Sequence, residues 1–161
     1  LDAGSIAFEK EIQNVADMMQ DLELHFVYRA KQEQKEIVLS GADDISLFCD
    51  RDWLSEAIGN IVKNALDHTE KGDTIHIKWK ALPSAVQITV KDNGCGIHPE
   101  DLHHIFKRFY RSRFSKDTQG IGLGLPLAKA IIEAHGGLIE VESELGIGTS
   151  FIMNFPIPTK L

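Results

Sequence analysis

Cysteine is scarce: Cys49 and Cys95 are the two among 161 residues, and neither sits in a metal-ligand or CxxC spacing. Two isolated thiols fit a reducing compartment better than a disulfide scaffold. No apolar run approaches the roughly 20 residues that cross a bilayer, and no signal-peptide pattern opens the sequence, so the expectation is a cytoplasmic domain. A basic surface is missing too. With Lys+Arg 17 against Asp+Glu 24 the formal net charge is −7, which leaves no electrostatic footprint for nucleic acid. Internal repeats, low-complexity tracts and the GxxxxGK[ST] phosphate loop are all absent. What is present is a chain 43% hydrophobic, enough for one domain with one core.

Apolar periodicity predicts a helix from about Phe8 to Gln34, since Ile12, Val15, Met19, Leu22, Phe26 and Ala30 recur at threes and fours. "IVLSG" and "ISLFC" are two short β-rich runs around a turn at Gly41 to Asp44. Asp50 is placed to cap a second helix running to about His68, with Leu54, Ile58, Ile61, Val62 and Leu66 in its apolar stripe. Alternation through Ile75, Ile77 and Trp79, then Val86, Ile88 and Val90, predicts a hairpin that ends in a glycine-rich loop. Pro99 opens a short helix, "KRFYRSRFSKDTQG" reads as a long surface loop, and a helix covers about Leu123 to Ala134 before Gly136-Gly137 stop it. "LIEVES" and "TSFIMNFPI" form a second hairpin. The sum is α+β, a sheet with helices on one side.

Three stretches carry chemistry. On the helix after Asp50, the polar residues Glu56, Asn60, Asn64 and His68 stand four apart, and each step drifts only about 40° round the axis. They form one stripe, which is either a solvated face or, for Asn60 and Asn64, a pair of amide oxygens turned toward a hard cation or phosphate. "DNGCGI", Asp92 to Ile97, follows a strand and leads into a helix. A carboxylate at that strand end could accept a hydrogen bond from an exocyclic amine, with glycines letting a flat ring approach. Gly120, Gly122 and Gly124 precede a helix with Pro126 in its first turn, where exposed N–H groups and the helix dipole favour an anion. Lys107, Arg108, Arg111, Arg113 and Lys116 lie just upstream as a local basic cluster. His98, His103 and His104 invite a metal reading, but no carboxylate or cysteine cluster accompanies them and a surface helix explains them.

In this order, "NIVKNALDHT", "DNGCGI", "IFKRFYR", "GIGLGLPLAKAIIEAHGG" and "GIGTSF" resemble the N box, glycine boxes and phenylalanine box of the ATP-binding catalytic domain of bacterial sensor histidine kinases. The likeness covers nearly all of residues 36 to 157, and "LDAGSI" resembles the end of the dimerisation helix that precedes this domain. It implies a Bergerat fold, a two-layer α/β sandwich with a mixed, mostly antiparallel sheet backed by helices and a mobile lid over ATP. The division implied is 1–7 as remnant of the dimerisation helix or linker and 8–161 as ATP-binding catalytic domain. By the same resemblance Asn64 is the Mg²⁺ ligand, Asn60 supports phosphates or a bound water, and Arg111 touches the terminal phosphate. Asp92 takes the adenine amine with Thr149 acting through water, Gly94, Gly96 and Ile97 line the base, and His68 stands where a ring covers it. Gly120, Ile121, Gly122, Leu123, Gly124 and Leu125 cover the triphosphate, and the loop from Arg111 to Gln119 is expected to open and close over it. One departure is Asp67, where the family often has Lys or Arg.

None of the seven histidines has the flanking residues of the family's phosphoacceptor, so the acceptor is expected on another domain. The partners implied are the dimerisation and phosphoacceptor helices of the same kinase and a response regulator receiver domain. The whole protein is expected to be a homodimer, with a membrane anchor left open, and this fragment a monomer. Three alternatives compete. A hydrolysing ATPase of the same fold carries a glutamate as general base where Asn60 stands, and an amide cannot take that proton. Glu56 lies one turn too early, about 6 Å along the axis, to replace it. Anti-sigma-factor serine kinases lack the helix remnant, and a pseudoenzyme binding module has only Asp67 in its favour.

Overall fold

The computed structural model describes residues 6–107 and 124–158. The first helix begins later than its periodicity suggests. Residues Glu11–Asn14 form strand β1, and helix α1 runs Val15–Gln32. Asn14 is extended (φ −81°, ψ 123°) and its side chain accepts from the Asp17 amide, an N-cap that starts the helix there. Ile12 therefore belongs to no helical face and is 59% exposed. Val15, Met18, Met19 and Leu22 are the buried side of α1.

Strands β2 (Glu36–Ser40) and β3 (Ser46–Cys49) flank the Gly41–Asp44 turn but go to different sheets. β3 pairs antiparallel with β1, whereas β2 runs parallel to β4 (Thr74–Ala81). Trp79 holds the turn, its indole N–H donating to the Ala42 carbonyl at 2.8 Å. Asp50 caps α2 (Arg51–Asp67) as its position implies, accepting the Trp53 amide. On α2, Leu54, Ile58, Ile61, Val62 and Leu66 are all completely buried. Burying each such side chain contributes about 1.5–3 kcal/mol relative to leaving it in water, and this face is what holds α2 to the sheet.

β5 (Ala85–Asp92) returns against β4, and β6 (Leu138–Glu144) and β7 (Gly148–Pro156) form the second hairpin. The five-stranded sheet has the order β2-β4-β5-β7-β6, with one parallel pair and three antiparallel ones. Short helix α3 (Pro99–Leu102) follows β5, and α4 (Gly124–Ala134) precedes β6. α1 packs on β2, α2 on β4 and β5, and α4 on α2 and β6, so the helices form one layer. Ile75, Ile77, Val86, Ile88, Val90, Phe151, Met153 and Phe155 face that layer and are buried. The alternate residues, including Lys78, Lys80, Gln87 and Thr89, turn to the other side, as expected of an antiparallel sheet with one wet face. The expected α+β two-layer arrangement is the one observed.

Candidate functional site

Strand alternation continues one residue beyond the core. Val86, Ile88 and Val90 point toward the helices, and Asp92 comes next on that face. It pairs with Thr149 on β7, which in turn pairs with Ser143 on β6. Three apolar rows on neighbouring strands thus end at one side of the sheet in three polar residues. Asp92 and Thr149 are 5% and 6% exposed. Such groups are costly unless they meet partners.

The Asp92 carboxylate accepts from the Gly94 amide at 2.9 Å. Burial pushes its carboxyl above the ordinary carboxylate range, and hydrogen bonds from the Gly94 and Thr149 backbone and the nearby His68 offset this only in part. An ionised carboxylate offers about four lone-pair sites, so acceptor capacity remains. This is an environment that rewards a further N–H donor.

The loop after Asp92 is gripped from both sides. The Cys95 amide donates to the His68 carbonyl at the end of α2 (3.4 Å), while the Cys95 carbonyl accepts from Gly146 in the β6–β7 turn (2.9 Å). A Cβ at Gly94 would collide with the His68 carbonyl. Gly96 has φ +79°, and a Cβ there would collide with the Glu144 carbonyl. Both positions exclude a side chain, so backbone lines the loop on this side. The Ile97 amide donates to Ser143 Oγ at 2.7 Å.

Asn60, Asn64 and His68 lie half-buried on α2, and Glu56 one turn earlier is exposed. The first residue of α4 reaches this stripe: a Cβ on Gly124 would lie 3.8 Å from Asn60 Cγ and 3.9 Å from its Oδ1. Gly124 and Leu125 are therefore placed beside α2, and the Gly94 loop abuts the same helix at His68. The structure brings Asn60, His68, Asp92, Gly94, Gly96, Ile97, Gly124 and Thr149 to one end of the sandwich. Arg111, Gly120, Ile121, Gly122 and Leu123 lie outside the described residues. A shallow depression lined by Ser40, Lys78, Lys80, Gln87 and Thr89 is on the wet face of the sheet and has no part in this site.

Asp67 does not add an uncompensated charge here. Its oxygens meet Arg29 Nη2 at 2.7 Å and Lys63 Nζ at 3.1 Å, tying α2 to α1. At the opposite end, Asp50 accepts the Glu9 amide (2.9 Å) besides its cap bond. The Asp50 amide donates to His135 Nε2 at 3.1 Å, and His135 Nδ1 lies 2.8 Å from the Ile131 carbonyl. These partners assign the proton to Nδ1 and leave the ring neutral. Ser143, Arg29 and His135 were not singled out by sequence patterns. Only the strand alternation that puts Ser143 on the inner face could have flagged it.

Among the described residues no group of three or more His, Cys, Asp and Glu is placed to hold a metal ion. No described helix is long and apolar enough to cross a membrane.

Residues 49–159 match the family described as histidine kinase-, DNA gyrase B-, and HSP90-like ATPases. The sensor protein SrrB of Staphylococcus aureus is 34% identical over 160 residues, which cover 98% of this chain and 27% of SrrB. The chain thus spans about a quarter of the length of the curated relatives it matches. The nucleotide-free catalytic domain of histidine kinase ThkA superposes with a TM-score of 0.83 at 26% identity, covering 93% of this chain and 97% of that one. Full-length ShkA in complex with AMPPNP superposes at 0.86 with 25% identity, covering 98% of this chain and 34% of ShkA.

Proposed function

This chain belongs to the family of histidine kinase-, DNA gyrase B-, and HSP90-like ATPases, and from that premise we propose that it is the ATP-binding catalytic domain of a two-component sensor kinase. On this reading residues 8–161 are the catalytic domain and 1–7 a remnant of the dimerisation helix or its linker. The observation that carries the reading is Asp92: a buried carboxylate with acceptor capacity to spare, at a strand end, beside a loop where only glycine fits. That combination suits the amine edge of adenine. Asn64 offers an amide oxygen, a hard ligand of the kind Mg²⁺ accepts alongside phosphate and water. Asn60, beside Gly124, supports the phosphates, and from the sequence Arg111 and Gly120 to Leu123 belong to the same set.

Bound ATP supplies the γ-phosphoryl group, which in the whole kinase passes to a histidine of the dimerisation helices and then to a response regulator receiver domain. Asn60 disfavours hydrolysis, because an amide is no general base, and Glu56, the one carboxylate nearby on α2, is exposed one turn away. The whole protein acts as a homodimer and this fragment as a monomer.

The test is calorimetric titration of this chain with ADP and a non-hydrolysable ATP analogue, with Mg²⁺ and with chelator. Saturable binding of both is expected, and no binding under any condition overturns the reading. Incubation with labelled ATP should leave no acid-labile phosphate on the chain. In Asn64→Ala the difference between Mg²⁺ and chelator should disappear while the helix stays folded, since alanine favours helix. An undiminished difference removes Asn64 as the ligand.

A further inference from the structure

We propose that Ser143 is a positioning residue that fixes which way the Thr149 hydroxyl points its proton, and thereby makes the site select a 6-amino over a 6-oxo purine. The inference rests on the nucleotide reading above.

Ser143 closes the polar row that begins at Asp92. Its Oγ receives the Ile97 amide at 2.7 Å, lies 3.2 Å from the Gly148 carbonyl and 2.9 Å from Thr149 Oγ1. A hydroxyl has one proton and two lone pairs. The Gly148 carbonyl can only accept, so Ser143 donates there, and one of its lone pairs is taken by Ile97. The remaining lone pair then receives the Thr149 proton. This assignment satisfies every partner in the group. The alternative, with Ser143 donating to Thr149, withdraws its proton from the carbonyl.

The consequence lies at Thr149. With its proton turned toward Ser143, its hydroxyl shows lone pairs alone to the site, beside a carboxylate that is likewise acceptor-only. Two acceptors match an edge with an exocyclic amine, directly or through a water. They oppose a carbonyl oxygen at the same ring position, because a buried acceptor facing an acceptor leaves both unpaired. Specificity of this kind is strong where a site built for a donor meets an analogue that lacks it.

The experiment compares ADP with inosine diphosphate, which carries the oxo group, on this chain by calorimetry. The parent should prefer ADP, and Ser143→Ala should narrow that preference about tenfold, the worth of one net hydrogen bond, because the freed threonine can then donate. Ser143→Thr retains the hydroxyl and should keep the parent's ratio. A merely structural serine would weaken both nucleotides together and leave the ratio unchanged, and that result overturns the proposal. Thr149→Val keeps the branched shape of the strand residue and removes the hydroxyl. It should narrow the ratio likewise, with no further loss in the double variant, and it carries the test should Ser143→Ala fail to fold. A parent that binds ADP without preference overturns the role of Ser143 alone. A parent that binds neither nucleotide overturns the nucleotide reading and this inference with it.

Discussion

Asp50 and Asp92 both show little surface to water, at 7% and 5% exposure, and burial alone raises the carboxyl of each. Their acidities nevertheless part. At Asp50 burial is outweighed by backbone N–H groups of Glu9, Trp53 and Asp52, with His135 adding to them, and the carboxyl falls below its ordinary value. At Asp92 burial prevails over Gly94, Thr149 and His68, and the carboxyl rises. The difference lies in depth and supply together: Asp92 is packed far more deeply among protein atoms than Asp50, and it has fewer donors. Asp50 stands at a helix start, where backbone donors are free by construction. Asp92 stands at a strand end, where donors are few and the site opens toward α2. A saturated carboxylate is a structural element, and on the proposed reading the undersupplied one takes a ligand.

The sharpest way to break this contrast is Asp92→Asn. Because the folded-state value is raised, the stabilising contribution of Asp92 is present below the unfolded value and lost as pH rises through the folded one. At neutral pH the ionised group opposes folding, so an amide should leave the melting temperature unchanged or higher. Affinity for ADP should drop tenfold to a hundredfold, as for a lost charge-assisted bond of about 1.5–3 kcal/mol. Parent-like binding by a well-folded variant reduces Asp92 to a turn residue.

Asp50→Ala should do the reverse. It removes an N-cap and the anchor of the Glu9 amide, a loss of about 1–2 kcal/mol. Nucleotide affinity per folded molecule should stay put, because Asp50 opens α2 at the end away from Asn64 and His68. Urea denaturation and calorimetry together read both quantities. A variant that loses affinity but keeps its stability would erase the distinction between the two aspartates.

How much of this was legible in the sequence divides along the same line. Asp50 as a cap, both hairpins, and Asp92 beyond Val86, Ile88 and Val90 follow from local periodicity and cap chemistry, which act over a few residues. β1 was hidden because Ile12 extends the apolar spacing of the helix by accident. The competing signal was Asn14 three residues before Asp17, a cap signature that the periodicity overrode. The parallel pairing of β2 with β4 and the β1–β3 ribbon are set by contacts distant in sequence, which no local pattern encodes. Ser143 and Arg29 stayed unread for a related reason: what they do depends on a partner from another element.

Acid should separate the two ends further. Burial pushes the pKa of His135 below its ordinary value, with Lys10 acting in the same direction and the Ile131 bond and Asp50 opposing. A histidine kept neutral in the fold stabilises above its unfolded value, about 6.5, and that contribution is lost as pH falls toward the folded value. A proton on Nε2 would also displace the Asp50 amide. Between pH 7 and 5, where Asp50 stays ionised, the melting temperature should therefore fall. In His135→Gln, which keeps an acceptor but does not titrate, the fall should flatten. Equal slopes in parent and variant would locate the acid response elsewhere.

Asp67 is the third case and the smallest. It is neither saturated by backbone nor undersupplied, but paired with Arg29 and Lys63, its side chain 17% exposed against 33% for Arg29 and 54% for Lys63. Water screens such a pair, and breaking it costs up to about 1 kcal/mol. Arg29 also holds Glu33 at 2.6 Å, so truncating Asp67 leaves the arginine a partner and strands no buried charge. Asp67→Ala should therefore lower stability by about 0.5–1 kcal/mol. Its effect on ADP affinity should be under about twofold, since RT is roughly 0.6 kcal/mol and the screened charge lies toward α1 rather than the base. The same variant asks whether an acidic residue weakens phosphate binding where related kinases often carry a basic one. If the charge reached the phosphates through solvent, its removal would tighten ADP several-fold at low salt and much less at high salt. An unchanged affinity at both ionic strengths means that Arg29 and Lys63 neutralise Asp67 locally, and that the contrast between saturated and undersupplied carboxylates needs no third term.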